Sequence, residues 1–210
     1  MLQEGSIIQN QRIQNYYRFQ SMIYDSTRWS FLFGRNLILD RIAKETSPQK
    51  ILEIGCGTGY NLKNLSKKFP NSKILGLDVS ADMIQIAQKK NKNSSNIQLI
   101  ESPYGTKKIN FEGEQPDVIL FSYMLTMVNP DFSSMILQAY EDLKPGGYIA
   151  VVDFYNSKHS WFRNHMSNHH VRMESHLHPI LERKFEVVNS DIFNAYFGVW
   201  EYFTFLGKKK

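Results

Sequence analysis

Three glycines at alternate positions are the residues of this chain that point most directly to a binding site. Gly55, Gly57 and Gly59 follow an apolar run, 51–54, in which Glu53 stands two residues before the first glycine. Glycine lets a backbone bend sharply and leaves no side chain between that backbone and a ligand. The pattern therefore predicts a tight turn, after a buried strand, that a ligand approaches closely.

An acid at the end of the next apolar run narrows the kind of ligand. Asp78 follows the apolar segment 73–77 and would end the second strand of the fold. In nucleotide-binding sheets, an acid at this place binds the ribose through its hydroxyl groups. Together with the glycine turn, Asp78 predicts a cofactor that contains a nucleoside.

The carboxylate of Glu53 distinguishes between two such cofactors. Dinucleotide sites carry the fingerprint G-x-G-x-x-G and bind a pyrophosphate at a helix N-terminus. The glycine spacing differs here, and Glu53 would repel a pyrophosphate but could pair with the ammonium group of an amino acid. S-adenosyl-L-methionine contains both an amino acid and an adenosine, so we predict it as the cofactor. A nicotinamide-dependent oxidoreductase is disfavoured on the same grounds.

Apolar periodicity indicates the elements that would position these residues. It alternates between strand and helix from residue 50 to about residue 154, which favours an α/β fold with a parallel, Rossmann-like sheet covered on both faces. The predicted strands are 50–54, 73–77, 97–100, 117–122 and 148–153, and the predicted helices are 58–68, 80–90 and 131–143. The chain ends differently, because 185–189 and 196–206 predict two strands joined by a loop and hence an antiparallel pair.

Two segments lie outside this alternation and could cover the mouth of the site. Residues 1–46 predict a helical N-terminal cap rich in aromatic side chains, and residues 155–184 form an insert that contains all six histidines. His165 and His169 are four residues apart and would share a helix face, but no glutamate lies between them as in zinc proteases. We therefore expect no metal, and we interpret the insert as a polar lid or as a solvent-facing helix.

Length and composition place further bounds on the protein. Its 210 residues predict a single domain, and its longest apolar run, 118–128, is too short to span a bilayer. The N-terminal residues lack the order of a signal peptide, and Cys56 is the only cysteine, so no disulfide forms within the chain. We expect a cytoplasmic protein, and a peripheral position on the inner membrane face stays open.

The net charge of +5 suggests an acidic partner surface, either anionic lipid or nucleic acid. Lysine-rich helices that are merely solvated explain the same charge, so charge alone does not decide between these interpretations.

At this point the chain resembles the class I S-adenosylmethionine-dependent methyltransferases. The segment 52–59, Leu-Glu-Ile-Gly-Cys-Gly-Thr-Gly, is similar to their first motif. Lys144-Pro145-Gly146-Gly147 precedes another apolar run at the place where that family has its own Pro-Gly-Gly turn. The resemblance implies a seven-stranded sheet that is mostly parallel and has an antiparallel last strand.

The candidate cofactor residues lie in the glycine turn, at the strand ends and in the cap. Glu53 should hold the ammonium group or order the loop beneath it, and Asp78 should hold the ribose hydroxyls. Arg35 could pair with the cofactor carboxylate or with a substrate phosphate. Glu101 ends the third strand, where the family often has an acid that accepts from the adenine amino group. The full set is Tyr24, Arg35, Glu53, Gly55, Cys56, Gly57, Gly59, Asp78, Val79, Met83, Glu101, Phe121 and Ser122.

A narrower resemblance concerns the methyl acceptor. The segments Tyr24-Asp25-x-x-Arg28-Trp29, Phe33-Gly34-Arg35, 121–127 and 152–154 look like those of bacterial betaine-lipid N-methyltransferases, which methylate the amine of diacylglyceryl-homoserine. This resemblance implies a lipid headgroup amine as the acceptor, of the diacylglyceryl-homoserine or phosphatidylethanolamine type. The proline-rich loop that holds a flipped DNA base is missing after the fourth strand, so DNA base methylation is disfavoured.

A primary amine must lose a proton before it is methylated, and Tyr123, Asp153 and His170 are the candidate proton acceptors. We expect a small-molecule or lipid substrate, no nucleic-acid partner, and possible peripheral contact with an anionic membrane. Two alternatives stay open: a C- or O-methyltransferase that acts on a quinone precursor or another small molecule, and a non-catalytic S-adenosylmethionine-binding regulatory protein.

Overall fold

Short apolar runs that end in turn residues form the strands of one twisted sheet. The computed structural model describes residues 31–105, 111 and 113–210. Its strands are β1 Lys50–Ile54, β2 Lys73–Asp78, β3 Ile97–Glu101, β4 Val118–Ser122, β5 Tyr148–Phe154, β6 Glu186–Ala195 and β7 Trp200–Lys208. All seven lie where the sequence predicts strands, although β6 continues well past its predicted end.

The order of the strands confirms the predicted fold class. The sheet runs β3-β2-β1-β4-β5-β7-β6, and β7 is antiparallel to both of its neighbours while the other pairs are parallel. The order reverses between β1 and β4, so their carboxyl ends form the topological switch point at which ligands bind in such sheets. We call the edge formed by the carboxyl ends of β1 to β5 the catalytic edge.

Helices cover both faces of this sheet. They are α1 Arg35–Glu45, α2 Tyr60–Lys68, α3 Ala81–Asn91, α4 Phe132–Asp142, α5 Ser160–Asn168 and α6 His178–Lys184. The three helices predicted from periodicity are α2, α3 and α4. The predicted N-terminal cap is described only from residue 31 onwards, and its residues 1–30 lie outside the described residues. No helix in the described ranges is long and apolar enough to cross a membrane.

Two apolar layers hold the helices to the sheet, because successive strand residues point to opposite faces. One layer packs α1, α2 and α5 against the sheet and includes Leu120 of β4. The other packs α4 and α6 and includes the next residue, Phe121. The buried residues Ile38, Leu39 and Ile42 of α1 have the spacing of a single helix face, which explains how this helix is held.

Candidate active site

The glycine turn after β1 leaves a bare backbone at the catalytic edge. Gly55, Gly57 and Gly59 all have positive φ angles, of 70°, 52° and 78°, which favour glycine. A Cβ atom on Gly55 would lie 2.7 Å from Cγ of Met124, whereas a Cβ on Gly57 would meet nothing within 4 Å. The backbone at Gly57 therefore faces open space, as a ligand that approaches the turn requires.

Glu53 lies directly below this turn and carries an unsatisfied oxygen. Its side chain is 1% exposed, and its Oε1 accepts a hydrogen bond from Nδ2 of Asn61 at 2.7 Å. Its Oε2 is buried and has no hydrogen-bond partner among the described residues. Burial raises the pKa of Glu53 to about 8, although the bond from Asn61 and the charge of Arg35 act in the opposite direction. A buried carboxyl group with one free oxygen fits a cationic ligand.

Arg35, the first residue of α1, supplies a positive charge beside Glu53. Its guanidinium lies 4.0 Å from the centroid of the Tyr60 ring, and its Nε donates to the carbonyl of Leu32 at 3.2 Å. Desolvation by burial lowers the pKa of Arg35, but an arginine remains charged at any physiological pH. The pair of Glu53 and Arg35 offers a carboxyl group and a guanidinium, which match the ammonium and carboxylate groups of an amino acid.

Asp78 connects the glycine turn to the start of α3. One carboxylate oxygen accepts the N–H of Gly57 at 2.8 Å and the other accepts the N–H of Ser80 at 2.9 Å. Burial raises the pKa of Asp78, and these backbone bonds oppose that shift. Each oxygen keeps a second lone pair, so Asp78 can still accept hydrogen bonds from two ribose hydroxyls.

The other predicted cofactor residues differ in what they can offer. Val79 and Ser122 are half-buried at strand ends, Met83 is buried, and Glu101 is exposed and pairs in register with Asp78. The side chains of Cys56 and Phe121 are buried in the protein, so a ligand at the catalytic edge can meet only their backbone. Tyr24 lies outside the described residues.

Tyr123 and Asp153, two predicted proton acceptors, are buried and already bonded within the protein. The hydroxyl of Tyr123 donates to the carbonyl of Phe33 at 2.8 Å, and burial raises the pKa of this phenol. Asp153 accepts hydrogen bonds from Oγ1 of Thr126 at 2.5 Å and from the N–H groups of Thr126 and Phe154. Burial raises the pKa of Asp153 to about 6. These bonds connect β5 and the cap to the loop that follows β4.

The third candidate, His170, is in a different environment. It is exposed just after α5, where its backbone has a φ of 62° and its N–H donates to the carbonyl of Ser167. In the same insert the rings of His165 and His169 lie 4.8 Å apart, which confirms that they share a helix face. The described residues contain no group of three or more histidine, cysteine or acidic side chains that could hold a metal.

Sequence reasoning missed three residues of this site. Asn61 holds Glu53, Thr126 holds Asp153, and Trp200 is completely buried against Phe154 at a ring distance of 5.2 Å. A polar residue on the first turns of α2, facing the glycine motif, was a usable signal for Asn61. The other two contacts join distant parts of the chain and left no local pattern.

The fold and the site resemble those of the class I S-adenosylmethionine-dependent methyltransferases. Residues 51–147 match the model of a family described as a methyltransferase domain, and this segment contains the glycine turn, Asp78, strands β2 to β4 and all of β1 except Lys50. S-adenosylmethionine is the cofactor of this class, and Glu53, Arg35, Asp78 and Gly57 fit its amino-acid and nucleoside parts.

Curated relatives match about half of the chain. A malonyl-[acyl-carrier protein] O-methyltransferase of Ilyobacter polytropus is 33% identical over 117 residues, which are 56% of this chain and 42% of that protein. A demethylmenaquinone methyltransferase of Staphylococcus carnosus is 32% identical over 105 residues, which are 50% of this chain and 42% of that protein. The chain thus spans less than half the length of these relatives.

A solved structure extends the likeness over most of the fold. The N-methyltransferase NodS of Bradyrhizobium japonicum, in complex with S-adenosyl-L-homocysteine, superposes with a TM-score of 0.69 at 16% identity. The likeness covers 83% of this chain and 85% of that one. At this level of identity it shows a shared fold.

Proposed function

We propose that this chain transfers the methyl group of S-adenosylmethionine to an acceptor held beside the carboxyl ends of β4 and β5. The observation on which the proposal depends is the buried Oε2 of Glu53, which has no hydrogen-bond partner among the described residues and lies within the electrostatic influence of Arg35. An oxygen in this position loses its hydration without gaining a protein donor, which is costly unless a ligand supplies one. The ammonium group of the cofactor is such a donor.

The residues of the site align the methyl group of the cofactor with the acceptor. When bound, S-adenosylmethionine supplies an activated methyl group, so little further activation is needed from the protein. Glu53 and Arg35 hold the amino-acid part, Asp78 holds the ribose, and the open backbone at Gly57 lets the cofactor lie close to the turn. Correct placement of two reacting atoms contributes several kcal/mol to a displacement of this kind, about 7–11 in well-oriented systems.

For the acceptor we propose the amine of a lipid headgroup, of the diacylglyceryl-homoserine or phosphatidylethanolamine type. Its support is the exposed ring of Phe33, whose residue lies beside the end of β4 because its carbonyl accepts the hydroxyl of Tyr123. The rings of Tyr123, Phe154 and Trp200 are themselves buried, and Trp200 contacts Phe33 at 5.9 Å. Methylation turns an amine into a permanent cation, and aromatic faces stabilise cations. The motifs similar to betaine-lipid N-methyltransferases support the same acceptor.

The curated relatives favour a second candidate. Their names describe O-methylation of a malonyl group on acyl carrier protein and methylation of demethylmenaquinone, and both relatives exceed 30% identity over about half of this chain. A carboxylate acceptor would need no proton acceptor, which agrees with the internal bonding of Tyr123 and Asp153.

The two candidates are separated by following a labelled methyl group. The protein is incubated with methyl-labelled S-adenosylmethionine and, in parallel, with a bacterial lipid extract, demethylmenaquinone and malonyl-acyl carrier protein. We expect label in a lipid that carries a headgroup amine, and no label with Glu53→Gln. Label in the quinone or the malonyl ester alone would replace the lipid by the second candidate. Cofactor binding without transfer to any acceptor would favour a regulatory protein instead.

A further inference from the structure

Large aromatic side chains are exposed to solvent at the catalytic edge. Phe197 is fully exposed, Trp161 is 63% exposed, Tyr196 is 44% exposed, and Phe31 and Phe33 are each 38% exposed. We call these five residues the aromatic band. Isolated exposed apolar residues are ordinary, but a contiguous group of them marks an interaction site.

Ring contacts through two buried rings connect members of the band in the α5, pre-α1 and β6–β7 segments. The ring of Trp161 contacts Phe162 at 5.5 Å, and Phe162 stacks on Trp200 at 6.4 Å. Trp200 contacts Phe33 at 5.9 Å, and Phe33 meets Tyr196 at 5.5 Å. A single layer of rings therefore joins α5, the residues before α1 and the turn between β6 and β7.

The register of the sheet places this layer beside the acceptor side of the site. Phe154, the last residue of β5, pairs with Tyr202 of the antiparallel β7. The turn Tyr196–Gly198 before β7 consequently lies beyond the carboxyl end of β5, at the catalytic edge. The carbonyl of Phe33 in turn accepts the hydroxyl of Tyr123 at the end of β4.

The backbone at the tip of the band is held in an unfavourable conformation. Tyr196 and Phe197 have φ angles of 47° and 57°, in the left-handed region that favours glycine. Each such residue costs roughly 1–2 kcal/mol, and the conformation leaves the apolar ring of Phe197 in water. Neither property stabilises the fold, so a binding role is a better explanation for the tip.

The charge around the band indicates which partner it fits. No aspartate or glutamate occurs in the three segments that form the band, which are 31–39, 155–173 and 195–200. Their basic residues are Arg35, Lys158, Arg163 and Arg172, and they also contain His159, His165, His169 and His170. Arg172 pairs with Glu174 just outside the segment, whereas Lys158 beside Trp161 is exposed. An acid-free basic surface repels a second copy of itself and attracts an anionic one.

We propose that the aromatic band docks on an anionic lipid bilayer, with Phe197 and Trp161 inserted at the level of the headgroups. Tryptophan and tyrosine favour this interface, and basic residues add attraction to anionic lipids. Docking in this orientation turns the catalytic edge towards the membrane surface. The surface itself is inferred from exposure, ring contacts and charge, and only its use for substrate access rests on the proposed function.

Vesicle binding by the full-length chain tests the docking surface. Partition coefficients are measured by co-sedimentation with vesicles of equal parts phosphatidylcholine and phosphatidylglycerol, and with vesicles of phosphatidylcholine alone. We expect Phe197→Ser to lower partition into the anionic vesicles about tenfold or more, since burial of a phenylalanine contributes about 1.5–3 kcal/mol. Phe197→Ser combined with Trp161→Ser should abolish binding, and neutral vesicles should bind the wild type more weakly.

Leu137→Ser is the matched control, because Leu137 is also 50% exposed but lies on α4, on the other face of the sheet. It should leave partition unchanged. Equal partition of Phe197→Ser, Leu137→Ser and the wild type would overturn the proposal, as would a wild type that binds neither vesicle. A dimer in size-exclusion chromatography that Phe197→Ser converts to a monomer, with vesicle binding unchanged, would make the band an interface between copies.

A parallel transfer assay separates this proposal from the function proposed above. Intact docking with no transfer to any lipid amine would contradict the proposed acceptor and leave the docking surface standing. Transfer to a detergent-dispersed lipid amine without vesicle binding would support the acceptor and contradict the docking surface.

Discussion

The two halves of the catalytic edge are built in different ways. The cofactor half, at the ends of β1 to β3, is made of residues close in sequence: Glu53, the glycine turn, Asn61 and Asp78. The acceptor half, at the ends of β4, β5 and β7, is made of segments far apart in the chain, including Phe33, Tyr123, Asp153 and Trp200. The first half offers polar groups to a ligand, whereas the second exposes the ring of Phe33 over the buried rings of Tyr123 and Trp200.

This difference shows how one fold can keep its cofactor and change its acceptor. A bare backbone and two acids define the cofactor half, and few substitutions are compatible with them. The acceptor half depends on packing between the cap, the insert and the hairpin of β6 and β7. These additions can change without disturbing the glycine turn.

The largest loss of cofactor affinity should follow replacement of Asp78, whose carboxylate accepts hydrogen bonds from the glycine turn and from the start of α3. We expect Asp78→Ala to weaken binding of S-adenosylhomocysteine about 10- to 100-fold, which corresponds to roughly 1–3 kcal/mol for the lost charge-assisted bonds. Isothermal titration calorimetry measures this, with Asp82→Ala on the exposed first turn of α3 as the control. Unchanged affinity would mean that the ribose lies elsewhere.

Cofactor affinity should also depend on pH, through the carboxyl group of Glu53, and this dependence should be smaller than the effect of Asp78→Ala. Because burial raises the pKa of Glu53 to about 8, this group binds a proton at neutral pH in the free protein. An ammonium group favours the carboxylate, so cofactor binding releases that proton, and affinity should fall as the pH falls below about 8, at most about tenfold per pH unit. Titrations at a series of pH values measure the slope. Glu53→Gln should bind the cofactor more weakly at pH 8, and its affinity should no longer depend on pH. Glu45→Gln, at an exposed residue at the end of α1, should keep the pH dependence of the wild type. A pH dependence that persists in Glu53→Gln would assign the proton to another group.

The smallest loss of activity is expected for a substitution of Tyr123 in the acceptor half. Its size tests whether this predicted proton acceptor takes part in the reaction. Tyr123→Phe removes one hydrogen bond, to Phe33, and keeps the ring, so we expect a loss of about 0.5–1.5 kcal/mol in the free energy of unfolding and less than about fivefold in kcat. Loss of a general acid or base would cost about 10²–10⁴-fold in kcat instead. Steady-state kinetics and thermal unfolding measure both quantities. Tyr140→Phe is the matched control, since its hydroxyl also donates to a backbone carbonyl but is exposed.

The sequence predicts those parts of the site that are formed by residues close together in the chain. The positions of the strands, the three helices and the placement of Glu53 and Asp78 all follow from periodicity and from a motif within about thirty residues, because short segments determine such elements. The order of the strands comes from the structure. The sequence was much less informative for the acceptor half. Asp153 was predicted as a proton acceptor from its residue type, but only the fold shows that Thr126 bonds it and that no face of it reaches solvent.

The aromatic band illustrates the same limit. Phe33 and Trp200 are distant in sequence, and their contact depends on the antiparallel direction of β7. Periodicity predicts that β7 is a strand but does not say which residues it brings to the catalytic edge. The exposed tip at Phe197 was not predicted either, because nothing in the local sequence marks a phenylalanine that stays in water.

The packing of α1 has a consequence for the order in which the protein can fold. A Cβ on Gly34 would lie 2.6 Å from the ring of Tyr202, and Arg41 of the same helix bonds Thr204 and Asp191. Helix α1, near the start of the described residues, therefore packs on β7, which lies more than 150 residues later in the chain. Contacts at such separation form slowly, because a long loop must close first. On the ribosome, the rings before α1 can reach their places only after β7 has emerged, so this side of the site forms late relative to the glycine turn.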